Sequence, residues 1–579
     1  MKKNCGRSPW TKSEVRTHQA VISGKLAPTL VIQNATYLNH GVKAWRTANI
    51  WISGDRIVYV GPEMPEQADA YHDATGQYIV PGYIEPHAHP FQLYNPASLA
   101  KFAAERGTST LVNDNMLLLL EPTEQAFAQV EALADLPTSM YWWARLDAQT
   151  ELDADSISID NRRIQAWLKH PQVIQAGELT GWPRLSQGDD ELLHWMQDAI
   201  KLGKPIEGHF PGASANTLTK MALYGVTSDH EAMTVEEAMT RLELGYTTTI
   251  RYSSIRPDLP DIFKGLVEAG LTQFDKVLVT TDGSTPSFYK AGMMDETIRL
   301  MLEAGIPVEE AYRIASYNAA RHFNLDHLLG SIAPGRIAHL NFLEAKDAPT
   351  PVAVLARGTW VRQADIPCYP AEALDAVYAL MPRSEVQVSL TEQDFSFSMP
   401  VGLEMVNSVI MKLYQVEHDT SVPVLPAGCD ESFLMLLDRE GKWRLNTVLK
   451  NFATQVGGLV SSYSISGDIL MIGKSKRDMQ VAFDRMKAFG GGIVLVEDGE
   501  VVAEVPLTLM GQTSELPLED LIVQETALRE ALFERGYAFE DPVYTLLFLA
   551  STHLPYVRIT PQGIYEVLRK KVLFPAILR

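Results

Sequence analysis

Cysteine is scarce in this sequence of 579 residues: Cys5, Cys368 and Cys429 are odd in number and lie far apart. Neither a disulfide framework nor a Cys-based zinc site can be built from them, and a reducing compartment fits. Basic charge is also short, 50 Lys plus Arg against 71 Asp plus Glu for a formal net charge of -21. With no basic stripe to offset that excess, a nucleic-acid partner is not expected. Long apolar runs are missing as well. The strongest, "MLLLL", is far shorter than the ~20 residues of a bilayer-spanning helix. The basic N-terminal segment has no apolar stretch behind it, so a cytoplasmic protein with no membrane contact is expected.

Two apparent nucleotide or zinc signatures are incomplete. "GDILMIGKS" has five residues between Gly467 and Gly473 where a phosphate-binding loop has four, and no dinucleotide fingerprint appears elsewhere. "IPCYP" holds a lone Cys368, which cannot supply the paired cysteines of the small zinc deaminases. Neither internal repeats nor low-complexity tracts are found.

The chain is long enough for two to four domains. "TLVIQNATYLNHGVKAWRTANIWISGDRIVYVG" alternates apolar stretches with Asn-His-Gly and Gly-Asp turn signals, which predicts a small antiparallel sheet. From about residue 80, β-rich runs ("STLVND", "VIQAGE", "KPIEGHF", "TTTIRYS", "KVLVTTD") alternate with helical stretches such as "DDELLHWMQDAIKLG". That alternation predicts a parallel (β/α)8 barrel. "GSIAPGRIAHLNFLE" and "VAVLARGTWV" then return to short strands that complete the first sheet. The expected fold is α/β: residues 1–80 and 329–380 form an N-terminal segment and a small β-sandwich, and 81–328 form the barrel inserted in it. Residues 385–579 form a C-terminal α/β domain, with a hairpin at Asp498-Gly499.

Within "PGYIEPHAHP", His87 and His89 sit one residue apart at the end of an apolar run. In an extended strand they point to the same face, as two imidazoles gripping one ion must. Glu178, His209, His230 and Asp282 also follow apolar runs, at predicted ends of barrel strands, where active sites of this architecture are assembled. Four imidazoles and two carboxylates suit one or two divalent first-row cations better than magnesium or calcium. Manganese is expected first, with iron or zinc as alternatives.

At these residues the sequence resembles the adenine deaminases of the amidohydrolase superfamily, in the adenine deaminase-like branch. The resemblance rests on "IVPGYIEPHAHP", "GHFPGASANTLTKMALYGVTSDHEAMT", "IAPGRIAHLNFLE" and "MKAFGGGIVLVEDGEVVAEVPLTLMG". It implies a binuclear site in which His87, His89 and Asp282 hold one metal, His209 and His230 the other, and Glu178 bridges them. It further implies hydrolysis of adenine to hypoxanthine and ammonia. The chain departs from the family pattern at three places: "HPFQLYNP" follows the first motif, Gly283 stands where a second aspartate is usual, and Ser461-Ser462 lead into "YSISGD", which has no histidine.

Asp282 is the expected general base and then acid. Glu231, beside His230, is a second candidate for proton transfer or substrate contact. Trp142, Trp143 and Trp182 could stack on a purine base, while Arg145 and Arg184 could bond its ring nitrogens. A homo-oligomer acting on a small molecule is expected. Two other readings stay open: an amidohydrolase of another amino-heterocycle, cyclic amide or amide, and a metal-containing protein that binds a small ligand without turnover.

Overall fold

The computed structural model describes residues 9–147 and 159–579, so Cys5 lies outside the described residues. Eight short runs form parallel strands: β1 (Tyr83–Ala88), β2 (Thr108–Asp114), β3 (Ser139–Ala144), β4 (Val173–Leu179), β5 (Ile206–Gly208), β6 (Ser228–Asp229), β7 (Thr247–Arg251) and β8 (Val277–Thr280). Each pairs in parallel with the next in chain order, and helices between them cover the outside. This is the barrel that the β/α alternation predicts.

Closure between β8 and β1 uses side chains. The fully buried Glu85 accepts hydrogen bonds through one oxygen from Thr280 Oγ1 (2.6 Å) and the His87 amide (2.9 Å). Its other oxygen accepts from the Thr281 amide and hydroxyl, both at 2.8 Å. Burial pushes the Glu85 carboxyl up to about 7, against the effect of these bonds. The last strand is thereby held to the first just below the mouth.

Strand Tyr78–Pro81, immediately before the barrel, pairs antiparallel with Leu340–Leu343, well after it, so the barrel interrupts a second sheet. That sheet is one continuous nine-stranded layer around its own apolar core, which includes Ile32, Ile50, Ile52, Leu340 and Phe342. It is mixed, where an antiparallel sheet is predicted. Strand Leu30–Asn39 pairs in parallel with both Tyr71–Asp73 and Tyr78–Pro81 because the chain leaves Arg56–Gly61 at the sheet edge and crosses back.

The remaining chain builds a nine-stranded sheet, a helix (Lys476–Phe489) packed on it, and a three-stranded sheet near the C-terminus. The Asp498-Gly499 hairpin forms: Glu497 faces Glu500, and both turn residues have positive φ, 52° and 83°. Lys474 of "GDILMIGKS" is buried and donates to the carbonyls of Cys429 (2.8 Å) and Glu431, a structural use that leaves no ammonium for a phosphate. This region docks on the barrel mouth. Ser514 N–H donates to Leu93 O (2.6 Å), Asn95 Nδ2 to Ser514 O (2.7 Å), and Ser287 N–H to Glu525 Oε2 (2.8 Å). Among the described residues no helix is long and apolar enough to cross a membrane.

If Glu85 closes the barrel, Glu85→Ala strands several buried donors. Denaturant unfolding should show a loss of about 2–4 kcal/mol, with a smaller loss for Glu85→Gln. A change below about 0.5 kcal/mol for Glu85→Ala would mean that closure does not depend on this carboxyl.

Candidate functional site

The six residues picked out at strand ends converge at the mouth. His87 and His89 leave β1 on one side of the strand, and their Nε2 atoms stand 3.1 Å apart. His87 Nδ1 is 2.8 Å from Glu207 Oε2 and His89 Nδ1 is 2.9 Å from Asp114 Oδ2. A carboxylate facing Nδ1 takes its proton as a hydrogen bond, which leaves a lone pair on each Nε2. Two lone pairs aimed at one point repel unless a cation or a proton lies between them.

The second pair is arranged alike. His209 Nδ1 and His230 Nε2 are 3.2 Å apart, and His230 Nδ1 turns toward the other oxygen of Glu207 at 3.4 Å. Glu178 lies between the pairs. Its Oε1 is 2.6 Å from His209 Nδ1 and 3.8 Å from His230 Nε2, while Oε2 is 3.6 Å from His89 Nε2 and 3.8 Å from His87 Nε2. Asp282 Oδ1 completes the ring at 3.1 Å from His89 Nε2 and 3.8 Å from His87 Nε2. Three overlapping sets bring their donor atoms within 4.8 Å of one another: His87–His89–Glu178, His87–His230–Asp282 and Glu178–His209–His230. Mixed nitrogen and carboxylate donors at these separations fit a divalent transition-metal ion.

The charge distribution fits a cation too. Burial lowers the affinity of His89 for a proton, but its bonds to Asp114 and Asp282 outweigh that and push it up to about 10. His230, likewise buried, is pushed up to about 9 by Glu207, Glu178 and Glu231. Burial opposes ionisation of Glu178, yet Arg145 and His209 hold it well below the usual carboxylate range. Asp282 is held low in the same way, against burial, by Arg251, His89 and His87. The site stabilises positive charge on His89, His209 and His230 and negative charge on Glu178 and Asp282, while burial lowers the proton affinity of His87.

Asp282 has φ 53°, an uncommon conformation for a residue with a side chain. Its amide donates to Thr280 Oγ1 (2.8 Å) and its Oδ1 accepts from the Gly283 amide (2.6 Å), so the turn aims the carboxylate at the histidines. Its other oxygen meets Arg251 Nε at 2.6 Å. Arg251 also pairs with Glu231, which Arg256 holds from the other side at 2.9 Å. Burial would raise Glu231, but His209 and the arginines bring it down to about 2.

Glu178, His209, Glu231, Asp282 and His89 line one cavity of about 430 Å³ with Arg251 and Arg256. The five residues expected to hold substrate do not. Trp143 is fully buried and stacks on His87 (centroids 4.5 Å apart, planes at 18°), so the face expected to meet a base covers a histidine. Trp142, one residue earlier and hence on the other side of β3, is buried in the surrounding apolar core. Arg145 is fully buried and bonded to Asp114 and Glu178 at 2.8 Å, so its guanidinium is taken up by the two carboxylates and does not line the cavity. Trp182 packs edge-on to Phe210, and the half-exposed Arg184 pairs with Asp189 at 2.6 Å.

Asp114, Glu207, Arg251 and Arg256 are functional neighbours that sequence inspection passed over. A signal existed for two of them: Asp114 ends β2, and Glu207 precedes His209 by two residues on β5. The roof of the cavity comes from the C-terminal region, including Asn407, Tyr463, Gln512, Tyr544 and Phe548.

The amidohydrolase family model matches residues 78–363, and that of the adenine deaminase C-terminal domain matches residues 408–571. Fold and site thus define a metal-dependent amidohydrolase, a class that implies a divalent cation. Among similar proteins, a putative adenine deaminase of Halalkalibacterium halodurans is 52% identical across 98% of this chain and 99% of its own. Another of Bacillus subtilis is 51% identical over 98% and 99%. An adenine deaminase of Cenarchaeum symbiosum is 28% identical over 96% and 94%. The chain belongs to the adenine deaminase family.

Because Glu207 orients both His87 and His230, Glu207→Gln should weaken metal affinity by about 10–100-fold while the protein stays folded. Competition with a chromogenic chelator measures this. Unchanged affinity would remove Glu207 from the support of the centre.

Proposed function

We propose that this protein hydrolyses the C6–N bond of adenine, giving hypoxanthine and ammonia. The observation that carries the reading is the convergence of four imidazoles, Glu178 and Asp282, of which His89, His209 and both carboxylates line a cavity large enough for a nucleobase, in a chain whose relatives are named adenine deaminases. His87, His89 and Asp282 would hold one cation, His209 and His230 a second, with Glu178 between them. Manganese is the proposed metal, with one or two ions per chain. When bound, such ions lower the pKa of a coordinated water from about 15.7 toward 7.

Asp282 is the proton carrier. Its carboxylate lies at the mouth and is ionised before reaction, so it can accept the proton released as water adds to C6. It then returns that proton to the leaving amine, acting in turn as base and acid. Arg251 fixes the orientation of this carboxylate through Oδ2, leaving Oδ1 toward the reacting groups. Glu231, ionised and clamped by two arginines, presents a fixed acceptor to a substrate N–H. The docked C-terminal region limits water to what the cavity admits. The net charge of -21 supports a partner other than nucleic acid, and the scarcity of cysteine supports a cytoplasmic setting.

A second reading, another amino-heterocycle as substrate, rests on one observation: Gly283, Tyr463 and the segment after His89, the three places where the sequence departs from the family pattern, all lie at or beside the cavity. Ammonia release from adenine, with and without chelator, separates the readings. We expect metal-dependent release and about one to two metal ions per chain by elemental analysis. Inert adenine with manganese, iron and zinc each loaded, alongside turnover of another ring, would replace adenine as substrate. Asp282→Asn should lower turnover at least about 100-fold. Wild-type rates in that variant would take Asp282 out of the chemistry.

A further inference from the structure

The three departures from the family pattern, remote from one another in sequence, touch one another at the cavity wall. The segment after His89 is tied to the C-terminal region by Leu93, Asn95 and Gln92. Gln92 is nine-tenths buried, and its Oε1 accepts a hydrogen bond from the Tyr463 hydroxyl. That bond sets which way the amide faces. With Oε1 engaged, the Nε2 hydrogens are the free end, and Nε2 makes no hydrogen bond among the described residues.

Tyr544 stands opposite, on the short helix Pro542–Phe548, held by Asp541 at its start and stacked on Phe548 (5.3 Å, 22°). It is 4% exposed, and its hydroxyl has no hydrogen-bond partner among the described residues. The residue lines the cavity, so its hydroxyl is open to a bound acceptor there.

Gly283 makes the room for both groups. A methyl built on it would lie 2.9 Å from Gln92 Nε2 and 3.0 Å from the Tyr544 hydroxyl, with His89 Cβ also at 3.0 Å. The two polar ends therefore meet at one point beside Asp282, and any larger residue at 283 would displace them.

We infer that Gln92 and Tyr544 are specificity-determining residues which donate hydrogen bonds to ring-nitrogen acceptors of the substrate, and that the bare backbone at Gly283 is what lets them reach it. This rests on the deaminase reading. An adenine ring placed with C6 near Asp282 carries acceptors on both sides of that carbon, N1 and N7, and both unpartnered groups are donors. Glu231, across the cavity, is an acceptor, so the wall and the floor read opposite polarities.

The test uses the metal-loaded full chain with adenine and 7-deazaadenine, which lacks the N7 acceptor, comparing wild type with Gln92→Leu and Tyr544→Phe. At least one variant should lose about 10-fold in kcat/KM for adenine with metal content unchanged. In the variant that has lost the donor to N7, the preference for adenine over the analogue should shrink by a similar factor. If neither variant moves that preference, 1-deazaadenine as a competitive inhibitor reports the N1 side in the same way. Gly283→Ala keeps both donors but pushes them aside together with His89, so at unchanged metal content its analogue preferences, rather than its rate, are the readout should either substitution prevent folding. Adenine kinetics and both analogue preferences within about 2-fold of wild type in all three variants would overturn the inference while leaving the deaminase reading intact. A wild-type enzyme inert on adenine would overturn the deaminase reading itself, and this inference with it.

Discussion

One carboxylate, that of Glu207, constrains the rest of the centre. One of its oxygens takes the Nδ1 proton of His87 and the other faces Nδ1 of His230, so side chains from the first and sixth strand ends share a single anchor. Gln175 Nε2 steadies the same carboxylate from β4 at 2.7 Å. The backbone must come close for this to work. A Cβ on Gly177 would fall 2.4 Å from Glu207 O, and its φ of 104° is one that glycine alone adopts readily, which places Glu178 directly over the gap between the histidine pairs. Arg145 then bridges Glu178 and Asp114, so one guanidinium holds both carboxylates in place.

Sequence inspection could reach the part of the centre that depends on local periodicity. His87 and His89 are two residues apart in a strand, and Glu178, His209, His230 and Asp282 each follow a short apolar run. The rule that catalytic groups gather at the C-terminal ends of barrel strands needs nothing further. The tryptophans fail by the same periodicity applied too loosely. In "YWWARL" neighbouring residues take opposite sides of β3, so Trp143 falls inside against His87 and Trp142 outside in apolar packing. Arg145 resembled a reader of ring nitrogens because its two carboxylate partners lie 31 and 33 residues away along the chain.

What was not legible is the roof. Tyr463, Gln512 and Tyr544 reach the cavity only through the docking of one folded region on another, by backbone bonds such as Ser514 to Leu93 that have no side-chain signature. The parallel pairings within the small sheet were hidden for a similar reason. Turn residues announce a hairpin, but nothing local announces a strand that crosses back to the far side of an earlier partner.

The pairing of Tyr78–Pro81 with Leu340–Leu343 has a consequence for biogenesis. Roughly 260 residues separate these partners, so on the ribosome the first half of the sheet waits with an unpaired edge while the whole barrel is made. A barrel already closed brings the two flanking strands near each other and removes most of the entropy of closing so long a loop. Assembly therefore runs inward-out: the inserted unit acts as a template for the layer that encloses its ends, and an error in the barrel leaves an open strand edge available to another chain.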